Sequence, residues 1–260
     1  MVDDGGPRPL DEVVAAFQSE IRVTLIRQEN AGPAAARNAA ARRATGDYLA
    51  FTDDDCVPEP GWLKALAAVW AESPDCMVGG LTLNGVANLY STTSQLIVDV
   101  VYRHYNADPA DAHFIASNNM ALPALAFREI GGFDPSFRTA EDRDLCDRWR
   151  HLGKRIVYVP GAVVHHHRTM NAAAFCRQHF RYGQGAERFS RRRAERGSGH
   201  FLNEARFHLD VGNWLWFPLT RVPATRVAQV AALLGLWQIF NVAGFAWAVM
   251  QRVARDPRAA

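Results

Sequence analysis

The sequence predicts an α/β protein with a mostly parallel, doubly wound sheet, and two observations lead to that prediction. Short runs of strand-forming residues alternate with segments whose apolar residues recur at helical spacing, which is the pattern of βαβ units. One predicted strand, Tyr48 to Thr52, ends directly in three consecutive carboxylates, Asp53 to Asp55. Because such sheets bind ligands at the carboxyl ends of their strands, these acids mark a candidate site.

The elements take their boundaries from apolar spacing and from glycine and proline. The chain opens on the end of a strand that runs into the turn Gly5-Gly6-Pro7, and apolar residues at helical spacing follow. The break Asn30-Ala31-Gly32-Pro33 precedes a helix rich in alanine and arginine. The predicted helices cover residues 10–21, 34–44, 58–72 and 142–152, and the predicted strands cover residues 21–26, 48–52 and 155–164.

Composition limits the class of protein. The chain of 260 residues is 48% apolar and 22% charged, which suits one large soluble domain or a domain with an appendage. Its net charge of +2 makes no case for nucleic acid as a partner. The four cysteines form no closely spaced pair, which argues against a zinc site or a disulfide framework and fits a reducing compartment.

Several motifs stand in one order and spacing. They are V-D-D-G at residues 2–5, N-x-G-x-x-x-A-R-N at residues 30–38 and G-D-Y followed by an apolar run and D-D-D at residues 46–55. Downstream come S-N-N-M-A at residues 117–121, G-G-F-D at residues 131–134 and A-E-D-R-D-L at residues 140–145. This order resembles the family-two glycosyltransferases of GT-A fold, over roughly residues 1–185.

The resemblance implies a nucleoside-diphosphate sugar as donor and a divalent cation, Mg²⁺ or Mn²⁺. Asp55 and Asp53 match the family's D-x-D pair, so Asp55 would bind the cation and Asp53 would help while lying nearer the ribose. Asp54 is assigned with Asp53 to the donor. Three packed carboxylates need a neutralising charge, which a divalent cation provides. The alternative for the triplet is a solvated turn after a strand.

Three further residues are assigned to the donor through the same resemblance. Asp3 and Asp4 lie where the family contacts the nucleotide base, and Asp4 is the favoured hydrogen-bond acceptor. Alternatively, the two aspartates only cap a turn. Arg37 would reach the nucleotide, and the alternative for it is an arginine on a helix surface.

Asp142 is the candidate catalytic base, and His166 is a candidate metal ligand. An inverting transfer needs one carboxylate to take the proton of the acceptor hydroxyl, and the resemblance places Asp142 there. The alternative is an acidic residue that favours a helix N-terminus for reasons of the helix dipole. The family's histidine, counted from the proline that Pro160 matches, is His166. Strand alternation turns His165 and His167 to the other face.

The C-terminal part has a different character, so we divide the chain into a glycosyltransferase domain at residues 1–185 and a membrane-associating region at residues 186–260. Arginines interleaved with aromatics lead into an uncharged run, Val227 to Met250. This run is long enough to span a bilayer, to lie in its interface or to form a buried helix, and all three alternatives stay open. Membrane attachment would place the protein on the cytoplasmic side, where arginines meet anionic headgroups.

The sequence therefore predicts an inverting, metal-dependent glycosyltransferase acting on a membrane-associated or glycan acceptor. A nucleotidyltransferase of similar fold is the alternative enzyme, and an inactive remnant that only associates with membranes or partners is the alternative outside enzymes. Members of the family begin with a strand and a helix before V-D-D-G. We therefore expect Met1 to be an internal position, with the natural start roughly thirty or more residues upstream, the length of such a unit.

Overall fold

A computed structural model describes residues 1–199 and 206–255, and it confirms the α/β class. Within these ranges a five-stranded sheet in the order β3-β6-β5-β7-β4 carries helices on both faces. A separate pair, β1 and β2, completes the strands. The strands are β1 Val2–Asp3, β2 Ile26–Arg27, β3 Tyr48–Phe51, β4 Cys56–Pro58, β5 Met77–Asn84, β6 Met120–Pro123 and β7 Ile156–His166.

Strand directions in the large sheet are mixed, which differs from the mostly parallel arrangement expected. β5 and β7 run parallel, whereas β6 is antiparallel to both β3 and β5, and β4 is antiparallel to β7. The alternation of strands and helices along the sequence does not show whether a short strand such as β6 runs parallel or antiparallel to its neighbours. The class was therefore predictable and the directions were not.

The helices form two layers on the sheet and a third group at the C-terminal side. Phe51, Met120 and Trp149 belong to the core on one face, and Trp62 and Leu66 belong to the core on the other. A third core joins the long helices. The helices are α1 Asp11–Phe17, α2 Pro33–Arg43, α3 Trp62–Trp70, α4 Leu89–Tyr105, α5 Ala124–Glu129, α6 Glu141–His151, α7 Ala172–Arg196 and α8 Val227–Arg255, with shorter helical turns between them.

The N-terminal unit of β1, α1 and β2 stands apart from the main sheet. β1 pairs in parallel with β2, with Val2 opposite Ile26. The strand expected at residues 21–26 is reduced to Ile26–Arg27, the two residues that pair with Val2 and Asp3 of β1. In α1 only Val14 is buried, while Val13 and Phe17 are about half exposed at 53% and 50%.

A bulge in β7 sets the position of its histidine-bearing end. Val159 pairs with Gly80 of β5, but the next pair joins Val163 to Leu81, so residues 160–162 are extra. Proline at position 160 cannot donate to the ladder, which favours a bulge there. A Cβ on Gly80 would lie 1.8 Å from the carbonyl oxygen of Ala162, so this close approach requires glycine. The strand then continues to His166, beyond the end at residue 164 expected from the sequence.

Helices α7 and α8 pack closely through two glycines. A Cβ on Gly183 would lie 2.0 Å from the carbonyl oxygen of Asn241, and one on Gly244 would lie 1.9 Å from that of Phe180. Since α7 runs without interruption from residue 172 to residue 196, it crosses the division proposed at residue 185. That division stays a prediction, and residues 200–205 and 256–260 of its second part lie outside the described residues.

Replacing Gly244 with alanine is expected to destabilise the protein by about 1–3 kcal/mol, because the new methyl group meets backbone that must shift. Gly235→Ala is the matched control on the same helix, since a Cβ there has nothing within 4 Å. The control should be neutral or more stable by up to about 1 kcal/mol, the difference in helix propensity. Urea unfolding of both variants measures the difference. Equal stability would show that the helices do not pack through this glycine.

Candidate active site

The three carboxylates that follow β3 have different surroundings. Asp53 accepts a hydrogen bond from Arg37 at 2.6 Å. Asp55 lies beside His166, with 3.1 Å between Oδ2 and Nε2, and Asp54 is exposed. The expected crowding of like charges is relieved because two of the three acids face a basic partner.

Asp55, Cys56 and His166 form a group of potential metal ligands. The antiparallel register of β4 and β7 places Cys56 opposite His166. One ligand atom from each residue lies within 4.8 Å of the others. The hydrogen bond from His166 is the main reason that the pKa of Asp55 lies below its usual value. Burial raises the pKa of the Cys56 thiol to about 11, so the sulfur stays protonated near neutral pH.

The donor set suits a hard or borderline divalent cation. A carboxylate oxygen and an imidazole nitrogen fit Mg²⁺ or Mn²⁺, whereas a neutral thiol does not. Of the residues given for the metal by the sequence, Asp55 and His166 fall in this group and Asp53 does not. Asp53 is separate because its carboxylate is held by Arg37.

His165 belongs to a different pair. Its Nε2 lies 2.9 Å from Oε1 of Glu59, on an exposed part of the surface. Neighbouring histidines on one strand therefore have different carboxylate partners, as alternation of side chains along a strand requires.

Arg37 connects two acidic motifs that are distant in sequence. Its Nη2 donates to Asp53 at 2.6 Å, and its Nη1 donates to Glu141 at 2.8 Å. The guanidinium lies 5.8 Å from the centre of the Phe133 ring, and the side chain is only 14% exposed. The alternative of an arginine on a helix surface is therefore wrong for Arg37, and its contact with the nucleotide stays a prediction.

Asp142 follows Glu141 at the start of α6, and its surroundings favour the neutral carboxylic acid. Burial and the neighbouring charge of Glu141 raise its pKa to about 7. Backbone hydrogen bonds from Arg143 and Ser117 oppose that rise. One of them, Arg143 N–H to Asp142 Oδ1, measures 2.8 Å. A carboxylate with a pKa near the working pH is suited to accept a proton.

Arg148 fixes the start of α6 relative to the loop that precedes it. This side chain donates to Asp144 at 2.7 Å and to the carbonyl oxygens of Ile130 and Gly132 at 2.9 and 2.6 Å. It thereby ties the G-G-F-D turn to the helix. Ala140, just before α6, has a φ of +69°, a conformation that is uncommon for a residue with a side chain. The entry to the helix is thus held in one geometry.

Asp4 organises the loop in front of α2. Its carboxylate accepts hydrogen bonds from the Gln28 side chain at 2.7 Å and from the backbone of Ala31 and Gly32 at 2.9 and 2.8 Å. Burial acts to raise its pKa, but these hydrogen bonds outweigh that effect and lower it. Asp3 is buried and caps its own turn. The turn-capping alternative therefore describes the geometry of both residues.

A cleft of about 1220 Å³ opens beside this loop. Asp4 and Gly32 line one side of it, and residues of α7 and α8 line the other. Arginines dominate its wall, which makes it suited to an anionic ligand. They are Arg138, Arg181, Arg188, Arg191, Arg252 and Arg255.

Sequence reasoning missed two contributors to this region. Glu141 was recognised only as part of a motif, yet it is the second partner of Arg37. Tyr182 of α7 lines a small cavity together with His166 and Arg168. No pattern in the sequence indicates that α7 returns to the acidic site, so only the fold reveals it.

The mixed sheet with its flanking helices, and the acidic site at the ends of β3 and β7, define a GT-A type of glycosyltransferase fold. The chain belongs to glycosyl transferase family 2, whose sequence profile matches residues 1–131. This confirms the family predicted from the motifs.

Two relatives in sequence are glycosyltransferases. The chain is 33% identical over 196 residues to the pre-mycofactocin glycosyltransferase of Mycobacterium tuberculosis. The aligned region covers 72% of this chain and 41% of that protein. It is 25% identical over 182 residues to the glucosyl-dolichyl phosphate glucuronosyltransferase of Haloferax volcanii, covering 64% of this chain and 58% of that protein. The chain thus spans about two fifths to three fifths of the length of these relatives.

Two solved structures share the fold. A mannosyltransferase from Pyrobaculum calidifontis, in complex with GDP-Man and Mn²⁺, superposes with a TM-score of 0.61 at 19% identity, covering 96% of this chain and 73% of that one. GalNAc-T7 with UDP, GalNAc and Mn²⁺ gives a TM-score of 0.51 at 15% identity, covering 99% and 51%. At these identities the likeness concerns the fold.

Proposed function

We propose that the chain transfers a sugar, with inversion at the anomeric carbon, from a nucleoside-diphosphate sugar to a membrane-associated or glycan acceptor. The observation that carries this proposal is the double hydrogen bond of Arg37, which joins Asp53 and Glu141. Asp53 is two residues from the candidate metal ligand Asp55, and Glu141 is next to the candidate base Asp142. Arg37 therefore brings the donor-binding motif and the base into one site.

Asp142 is the proposed base. The proton of the acceptor hydroxyl passes to its carboxylate as the acceptor oxygen bonds to the anomeric carbon. The bond from that carbon to the diphosphate oxygen breaks at the same time, and the nucleoside diphosphate leaves. The hydrogen bond from Arg143 N–H at 2.8 Å holds the carboxylate in a fixed orientation for this transfer.

Asp55 and His166 are the proposed holders of Mg²⁺ or Mn²⁺, and Asp53, Asp54, Asp3, Asp4 and Arg37 are proposed to organise or contact the donor. A divalent cation bound here would supply positive charge to stabilise the departing diphosphate. Asp4 acts chiefly through the loop of Ala31 and Gly32 that it fastens. Membrane attachment on the cytoplasmic side is proposed from helix α8, which by length and composition alone could span a bilayer.

A thermal-shift screen of nucleoside diphosphates and their sugars tests the proposal. At a ligand concentration of about 100 times Kd, stabilisation reaches about 2.7 kcal/mol, which raises the Tm by several degrees. We expect one base to stand out, and only when Mn²⁺ or Mg²⁺ is present. Turnover of that donor, followed as release of the nucleoside diphosphate, completes the test. If no nucleotide raises the Tm with either cation, the proposal is wrong.

A further inference from the structure

The outer face of α8 is apolar along most of its length, with exposed glutamines only near its ends, at Gln229 and Gln251. Leu236, Ile239, Val242 and Met250 are exposed by 37%, 63%, 61% and 57%. Between residues 228 and 251 every exposed residue of this helix is uncharged. A helix packed on a soluble domain normally turns charged residues to water. This face is therefore suited to a medium other than water.

The inner face of α8 packs against the rest of the protein. Val230, Leu234 and Trp237 are buried in the third core, and Gly244 touches the backbone of α7. α7 itself carries many charges, and Glu187 on it pairs with Arg252 at 3.3 Å. If α8 crossed a bilayer, charges of α7 would enter the hydrocarbon at a cost of about 2.5–3.5 kcal/mol each. The packing thus opposes a spanning orientation.

Basic residues stand at both ends of α8. Arg221 and Arg226 precede it and are exposed, and Arg255 at its last turn is exposed as well. Arg221 and the aromatic residue Phe217 are stacked, with 4.2 Å between the guanidinium and the ring centre. An apolar stripe with arginines at both ends matches the surface of an anionic bilayer when the helix lies along it.

We propose that α8 binds in the plane of an anionic lipid bilayer, with its outer face at the boundary of headgroups and acyl chains. The arginine-lined cleft includes Trp247, Arg252 and Arg255 of the same helix. Docking in this orientation places the cleft at the membrane, where a lipid-anchored acceptor enters it. This last point rests on the proposed function and narrows its acceptor to lipid-borne molecules.

Flotation of the full chain with vesicles of phosphatidylcholine and phosphatidylglycerol tests the docking face. Changing Ile239→Gln together with Val242→Gln is expected to weaken binding by roughly tenfold or more, since apolar area is lost. Leu125→Gln with Leu152→Gln is the matched control, because those residues are 67% and 59% exposed and lie outside α8. Circular dichroism verifies that both variants fold. Equal binding of the parent and the α8 variant would overturn the proposal.

The depth of α8 separates an in-plane helix from a spanning one. Nitroxide labels at Ala232→Cys, Ile239→Cys and Ala246→Cys lie on the exposed stripe, with a rise of about 10 Å between successive positions. Equal depths in vesicles are expected, and depths that differ by about 10 Å at each step would overturn the proposal. The unsubstituted chain, labelled in parallel, gives the background from the native cysteines.

Two further outcomes are informative. A parent that ignores vesicles but sediments as a dimer, which Ile239→Gln with Val242→Gln disrupts, would assign the face to a second copy of the chain and contradict the proposal. Nucleotide stabilisation in the absence of vesicles measures the proposed function independently. Failure of membrane docking and failure of donor binding are therefore distinguishable.

Discussion

Replacing Asp142 with asparagine is expected to reduce turnover by about 10²–10⁴-fold while donor binding is preserved. Asparagine keeps the shape of the side chain but cannot accept the proton of the acceptor hydroxyl. Single-turnover rates and nucleotide affinity, measured on the same preparation, separate the two effects. Asp147→Asn is a control on the same helix. Asp147 pairs with Arg193 and Arg196 of α7 rather than with the site, so its loss should affect stability more than turnover.

The pH dependence of kcat/KM and of stability provides a second test of the role of Asp142. Because its pKa is raised from 3.8 to about 7, the carboxylate is protonated below that value, and kcat/KM should rise with pH through about 7. The sign for stability is opposite. The folded state holds this proton more tightly than the unfolded state, so the contribution to stability is full below pH 3.8 and is lost as pH rises through about 7. Asp142→Asn should therefore raise the Tm at pH 8 and have little effect at pH 4.

An Asp142→Asn variant whose turnover stays within a few-fold of the parent would assign Asp142 to the helix N-terminus alone. An Asp142→Asn variant that is less stable than the parent at pH 8 would contradict a raised pKa for the Asp142 carboxyl group. The two measurements are independent, because one concerns the reaction and the other concerns unfolding.

Replacing Asp55 with asparagine is expected to remove stabilisation by the nucleoside diphosphate in Mn²⁺ and to lower turnover by about 10²-fold or more. The carboxylate beside His166 would be the main charge holding the cation, and an amide carries no charge. Binding of Mn²⁺ is measured directly from the electron paramagnetic resonance signal of the free ion, with and without nucleotide. This readout does not depend on activity.

Glu59→Gln is the matched control for Asp55→Asn. Glu59 faces His165 at 2.9 Å as Asp55 faces His166 at 3.1 Å, and the two histidines are neighbours on β7. The control should bind Mn²⁺ as the parent does. Equal losses in both variants would place the cation elsewhere, and unchanged Mn²⁺ binding in Asp55→Asn would remove Asp55 from the site.

The fold class and the family were predictable because they depend on local signals. The apolar run before Asp53 is a strand in the structure, and the acids at Glu141 and Asp142 begin a helix. Contacts between distant elements were not predictable. Nothing in the sequence indicates that Arg37 bridges Asp53 and Glu141, because ion pairs of high sequence separation depend on the assembled fold.

Strand lengths were also poorly predicted where pairing with a neighbouring strand determines them. β7 extends to His166 because β4 and β5 pair with its end, whereas the strand expected at residues 21–26 keeps only Ile26–Arg27, which pair with β1. The uncharged run Val227 to Met250 predicted α8, but it left open whether the helix is buried, interfacial or spanning. The contacts of its inner face with α7, and not its composition, favour the interfacial orientation.

The N-terminal unit has a consequence for the cooperativity of the molecule. β1, α1 and β2 bury little apolar surface, and local opening of such a segment costs much less than global unfolding. Yet Asp4, directly after β1, accepts two hydrogen bonds from the loop of Ala31 and Gly32 and a third from the Gln28 side chain. A ligand seated on that loop would favour the closed unit over the open one. Part of its binding free energy would then be spent on ordering the unit, so apparent affinity would depend on how often the unit is already closed.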